Sequence, residues 1–253
     1  MERIKRYLII GASSEVGMAF IRLLEKRATE GRIPDGVHIM AHYGSHDDEL
    51  RKLEKECPHL AFEYLQCDLG FREQVDALAE QLEGMETPQA FLYLAAGRMR
   101  YEKLKKMELE RLDQDYCIQV RALARLCQVV LPSMAKEKFG KAVIMLSECT
   151  LGMPPKYTAE YTAVKYAALG LMRTFSLEYA DKNVNVNGLS PTMMETGFLS
   201  DIDPRFIEMN ASGCVKKRNA TVEEAAQAMA FLVSAGSDYM NGVNLNLSGG
   251  NQA

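Results

Sequence analysis

The chain of 253 residues is 47% hydrophobic and 25% charged, ordinary globular usage that excludes a disordered protein. Lys and Arg number 30 against 34 Asp and Glu, giving a net charge of −4 and a pI near 5.7, so there is no basic field to hold nucleic-acid phosphates or anionic lipid, and both are excluded as partners. No apolar run approaches the roughly 18 residues of a bilayer span, and the first, Tyr7-Leu8-Ile9-Ile10, breaks at Gly11, too short for a signal-peptide core, so a cytoplasmic protein is expected.

Short apolar runs then alternate with amphipathic stretches along the whole chain. The predicted strands are Tyr7–Ile10, Val37–Ala41, Phe62–Cys67, Ala90–Ala95, Ala142–Ser147, Val184–Leu189 and Val243–Leu247. Between them lie helical spacings such as Val16, Ala19, Phe20, Leu23, Leu24 and Val75, Leu78, Ala79, Leu82. Strand and helix in alternation predict a parallel sheet. Continuously apolar strands such as Ala142-Val143-Ile144-Met145-Leu146 predict helices on both of its faces, a doubly wound α/β fold. No linker or internal repeat marks a boundary, so residues 1–253 are expected to form a single domain. The one long stretch without a pattern, Thr192–Asn219, is expected to be a functional loop. Six dispersed cysteines (Cys57, Cys67, Cys117, Cys127, Cys149, Cys214) without a C-x-x-C pair read as small buried hydrophobes, with no metal site expected.

The first strand runs directly into Gly11-Ala12-Ser13-Ser14-Glu15-Val16-Gly17 and then a helix. In that context Gly11 permits a tight turn, Gly17 allows close packing of helix and strand, and the helix N-terminus faces a dinucleotide pyrophosphate, with the Ser13 and Ser14 hydroxyls as further donors. Asp35 lies at the distance expected of a ribose-binding acid, but Pro34-Asp35-Gly36 is a turn before the second strand rather than that strand's carboxyl end. The end itself is His42-Tyr43-Gly44-Ser45-His46, without a carboxylate. Tyr43, Ser45 and His46 are therefore expected at the adenosine ribose, which favours a 2′-phosphate and hence NADP(H), with NAD(H) as the alternative.

Tyr161-Thr162-Ala163-Val164-Lys165 places a phenol and an ammonium one helical turn apart on the same face. A nearby cation favours the phenolate, and Ser147 ends a buried strand at the sheet edge where open α/β folds bind ligands. With these residues in place the chain resembles the short-chain dehydrogenases/reductases from about Tyr7 to Gly250. The markers are the Gly11–Gly17 loop, Cys67-Asp68-Leu69, Ala95-Ala96-Gly97, Ser147, Tyr161-x-x-x-Lys165, Ser190-Pro191 with Thr196, and Ser248-Gly249-Gly250.

The resemblance implies a seven-stranded Rossmann fold and hydride transfer between NAD(P)H and a carbonyl. In that scheme Tyr161 protonates the carbonyl oxygen, Ser147 hydrogen-bonds it, and Lys165 holds the nicotinamide ribose and lowers the Tyr161 pKa. Asp68 and the Leu69 N–H would bind adenine, Thr196 the carboxamide, and Ala95, Ala96, Gly97 and Pro191 would line the cofactor. Several positions depart from the family pattern. Glu15 replaces the middle glycine of the loop, Leu94 and Ala95 replace two asparagines, Gln119 stands for the catalytic asparagine, and Thr192 replaces a glycine. The nearest subfamily likeness is to 3-oxoacyl-acyl-carrier-protein reductases, with Lys138 and Lys182 at the carrier-docking places and Met153, Met193, Met194 and Phe198 expected around an apolar pocket. The alternatives are a reductase of a small ketone, sugar or steroid, or a catalytically weak cofactor-binding protein. A homotetramer paired through helices 109–131 and 158–179 is expected, with 192–219 closing over the substrate.

Overall fold

The computed structural model describes residues 4–251. All seven predicted strands are present, each shifted by at most two residues at its start: β1 Arg6–Ile10, β2 Val37–Tyr43, β3 Leu60–Gln66, β4 Ala90–Tyr93, β5 Gly140–Met145, β6 Val184–Pro191 and β7 Asn244–Leu247. Every pairing is parallel, in the order β3-β2-β1-β4-β5-β6-β7. The order reverses direction between β1 and β4, and ligands of open α/β sheets bind at the carboxyl edge beside such a switch.

Alternate side chains of β1 enter opposite cores. Tyr7 and Ile9 pack with Phe20 and Leu24 of α1 (Glu15–Thr29) and with Met229 of a later helix, Val222–Leu232. Leu8 and Ile10 face the other core, with Leu78 of the helix Arg72–Glu83, Leu126 of Ala122–Lys136 and Met172 of Ala159–Tyr179. Burial on both faces explains why β5 is apolar along its whole length, whereas the edge strands β3 and β7 keep exposed positions.

Two predicted elements are reshaped. The helix expected over 109–131 is an α-helix from Leu109 to Tyr116, a π-helical turn over Cys117–Arg121 and a further α-helix to Lys136. The stretch 192–219 is not a plain loop. It contains a short 3-10 turn, Gly197–Leu199, and a ten-residue helix, Pro204–Gly213, whose N-cap Asp203 accepts from the Arg205 N–H. No residue of that helix is fully buried, so it lacks the apolar stripe by which core helices are recognised. Five of the six free cysteines are buried and Cys117 is half-buried.

At the end of β2, His42 turns inward and is only 3% exposed. Its Nδ1 accepts from the Gly11 N–H at 3.1 Å, which leaves Nε2–H to donate to the Cys67 carbonyl at 2.9 Å. The ring thus ties the glycine turn to β3, and burial pulls its pKa from 6.5 down to about 4. With the folded value below the unfolded one, the unfolded chain takes up this proton first. Stability should therefore fall as pH drops from 6.5 towards 4, by up to about 3 kcal/mol from this group. Among the four histidines, NMR titration should show His42 with a midpoint near 4, and a midpoint near 6.5 would contradict the buried neutral ring.

Candidate active site

A cavity of about 730 Å³ opens at the carboxyl edge of the sheet. It brings together Gly11, Ser13, Ser14, Glu15, Val16, Ser45, Asp68, Leu69, Ala95, Ala96, Ser147, Tyr161, Lys165, Pro191 and Thr196 of the expected site. Gly17, Tyr43, His46, Gly97 and Gln119 lie outside its wall. Gly17 sits beneath the loop, and Gly97 packs on the Asp115 carboxylate. Gln119 occupies the π-helical turn with both side-chain polar atoms buried and without a hydrogen-bond partner.

The glycine loop has the backbone form a pyrophosphate cradle needs. Gly11 adopts φ +84, and a Cβ there would meet the Ala95 nitrogen at 3.2 Å. A Cβ on Gly17 would lie 2.6 Å from the Gly11 carbonyl oxygen and 2.7 Å from that of Ala12. These contacts hold the α1 N-terminus against the turn, as a bound dinucleotide requires, so the residues present fit this cofactor. Ser14 lines the cavity and also caps α1: its hydroxyl donates to the Gly11 carbonyl at 2.7 Å and accepts from the Gly17 N–H at 3.1 Å. Glu15 is exposed at the cavity rim, and its Oε2 accepts from the Gly197 N–H at 2.8 Å and links the cofactor loop to the segment after β6.

The three catalytic candidates converge from different elements. Ser147 follows the end of β5, and Tyr161 and Lys165 stand one turn apart on the helix Ala159–Tyr179. Lys165 is 2% exposed and its Nζ donates to the Met145 carbonyl at 3.0 Å, while lying 5.7 Å from the centre of the Tyr161 ring. Burial pulls the ammonium down to about 8, with Cys149 and Asp115 acting weakly against it. Burial also dominates at Tyr161 and pushes the phenol up, opposed chiefly by the Ser147 hydroxyl. Spacing alone suggests that Lys165 sets the phenol's acidity. Desolvation instead dominates at both groups.

Beyond the catalytic candidates much of the wall is apolar, with Met99, Cys149, Leu199, Tyr101, Met193 and Phe198, and the polar Glu148 and Thr192 interrupt it. Met193, Met194 and Phe198 lie where the sequence puts them, but Met153 is 88% exposed and lines no part of the cavity. Lys138 and Lys182 precede β5 and β6 at the amino edge of the sheet, opposite the cavity, and Lys182 pairs with Asp181 at 2.6 Å. Within one chain they do not flank the site. Sequence reasoning misses Met99 and Tyr101, which line the cavity from an irregular segment, and Glu148, which opens a 3-10 turn too short for periodicity to mark.

This fold and this convergence define a nucleotide-dependent oxidoreductase site. A family model described as enoyl-(acyl carrier protein) reductase matches residues 32–252, and the chain belongs to the short-chain dehydrogenase/reductase family of oxidoreductases. The chain is similar to the 3-oxoacyl-[acyl-carrier-protein] reductase FabG of Thermotoga maritima, with 26% identity over 245 residues, 96% of each chain. It is 30% identical over 181 residues to dehydrogenase/reductase SDR family member 4 of Bos taurus, covering 71% of this chain and 64% of the relative. A crystal structure of a 3-oxoacyl (acyl-carrier-protein) reductase from Agrobacterium tumefaciens with NADP bound shares the fold, with TM-score 0.84 and 23% identity over 97% of this chain and 93% of that one. Among the described residues no helix is long and apolar enough to cross a membrane.

Proposed function

We propose that the protein reduces a substrate carbonyl to an alcohol at the expense of NADPH. The observation that carries this reading is the meeting of Ser147, Tyr161 and Lys165 in the same cavity as the glycine loop. The cofactor supplies the hydride. Ser147 holds the carbonyl oxygen as charge grows on it, and Tyr161, kept protonated by burial, gives its proton to that oxygen. Lys165 orients the nicotinamide ribose and stabilises the phenolate left behind. Asp68, the Leu69 N–H and Thr196 bind the ends of the cofactor, and Glu15 holds the segment 192–219 near it through Gly197.

NADPH is preferred to NADH, because Ser45 and His46 are exposed donors at the end of β2 and no carboxylate stands within 42–46. A charge-assisted contact contributes about 1.5–3 kcal/mol, so calorimetric titration should show NADPH binding at least about tenfold tighter. Tighter NADH binding would refute the preference. The substrate is a small or carrier-bound carbonyl compound, and the 3-oxoacyl thioester reading draws on the FabG relative. The reductase reading is tested by following NADPH oxidation with acetoacetyl thioester and a panel of simple ketones. Oxidation of NADPH by none of them would count against it. We also place the working protein in the cytoplasm as a homotetramer, with light scattering as the check on assembly.

A further inference from the structure

Glu148 follows the catalytic Ser147 directly and opens a 3-10 turn over Glu148–Thr150 at the end of β5. Its carboxyl lines the cavity, yet Oε2 is shut off from solvent and has no hydrogen-bond partner. The Thr192 hydroxyl, on a residue only 5% exposed, lines the same wall, makes no well-formed hydrogen bond, and has the Glu148 carboxyl as its polar neighbour. Glu148 lines the same cavity as Tyr161 and Tyr101. Burial pushes the Glu148 carboxyl up, opposed by the nearby Thr192 hydroxyl. Around these two polar groups the wall is formed by Met99, Met193, Phe198 and Leu199.

A buried carboxyl oxygen and a buried hydroxyl that have only each other, without a well-formed hydrogen bond, carry a desolvation penalty of about 1–3 kcal/mol. A hydrocarbon segment of a substrate lying against them would make that penalty permanent. A substrate hydroxyl would remove it, donating to Glu148 and accepting from Thr192.

We propose that Glu148 and Thr192 form a polar subsite that selects a hydroxylated carbonyl compound, of the hydroxyketone or sugar type, over its deoxy counterpart. The proposal rests on the carbonyl-reductase reading above and narrows its substrate class away from plain acyl chains. The test compares kcat/KM with NADPH for 1-hydroxy-2-butanone and 4-hydroxy-2-butanone against 2-butanone and acetoacetyl thioester. The better hydroxybutanone should exceed 2-butanone at least about tenfold. In Glu148→Leu that ratio should fall at least about tenfold, and in the near-isosteric Thr192→Val by several-fold. Because the ratio is read within one protein sample, a general loss of activity does not affect it, and Thr192→Val carries the test if Glu148→Leu does not fold. Equal use of hydroxylated and plain ketones, preference for the acyl thioester, or a hydroxyl preference that survives both substitutions would each overturn the subsite. Reduction of none of the four compounds would instead remove the reductase reading on which it stands.

Discussion

Tyr161→Phe should lower turnover by about a thousandfold or more while NADPH still binds with an affinity within a few-fold of the parent. The substitution deletes one hydroxyl from a residue that is 8% exposed and flanked by Phe198 at 6.1 Å between ring centres, so the ring keeps its packing and only the transferable proton is lost. A positioned general acid contributes roughly a hundred- to ten-thousandfold. Steady-state kinetics on any carbonyl compound that the parent reduces, paired with calorimetry for the cofactor, separates the two effects. Retention of more than a tenth of parental kcat would remove Tyr161 from the chemistry. Parallel loss of cofactor affinity would assign it a structural part instead.

Gly17→Ala should damage stability and cofactor binding together. The new Cβ would lie 2.6 Å from the Gly11 carbonyl oxygen, 2.7 Å from that of Ala12 and 2.9 Å from the Ala12 carbonyl carbon. All three are backbone atoms of the phosphate loop and cannot swing aside as a side chain would. Relief requires α1 to move away from the turn that Gly11 and Ser14 hold by hydrogen bonds. Overpacking of this kind costs about 3 kcal/mol, and the displaced helix N-terminus should weaken NADPH at least about tenfold. Urea denaturation of the unliganded protein and a cofactor titration check the two halves. An unchanged denaturation midpoint would mean that the loop is looser than its contacts indicate.

Most of the sheet could be read in the sequence, and the reason is physical. Strands buried on both faces, such as β5, show as unbroken apolar runs, and the chain order of the runs and helical spacings implies a parallel sheet. The edge strands β3 and β7 carry exposed residues and keep a weaker signal. The helix Pro204–Gly213 was hidden because its apolar residues do not enter the main cores; Ile207 packs instead on the small cluster around the cavity.

Site residues divide along the same line. Ser147, Tyr161 and Lys165 are legible because a strand end and a four-residue spacing fix where they stand. The inward turn of His42 depends on a hydrogen bond from Gly11, 31 residues away, and no local pattern reports it. Glu15 reads in isolation as a poor neighbour for phosphates, and only the approach of Gly197, 182 residues later, shows where its carboxylate goes. Glu148 and Thr192 likewise gain meaning only from being brought side by side.

Transfer of label from the cofactor to product tests the central claim most directly. The protein is supplied with NADPH carrying deuterium at the transferable position of the nicotinamide ring and with each carbonyl compound that supports NADPH oxidation, and the alcohol product is analysed by mass spectrometry. The account predicts one deuterium per product molecule on the former carbonyl carbon, at a rate that collapses in Tyr161→Phe. Cofactor oxidation that leaves no deuterium in the product, or labelled product formed equally fast by the Phe variant, would contradict it.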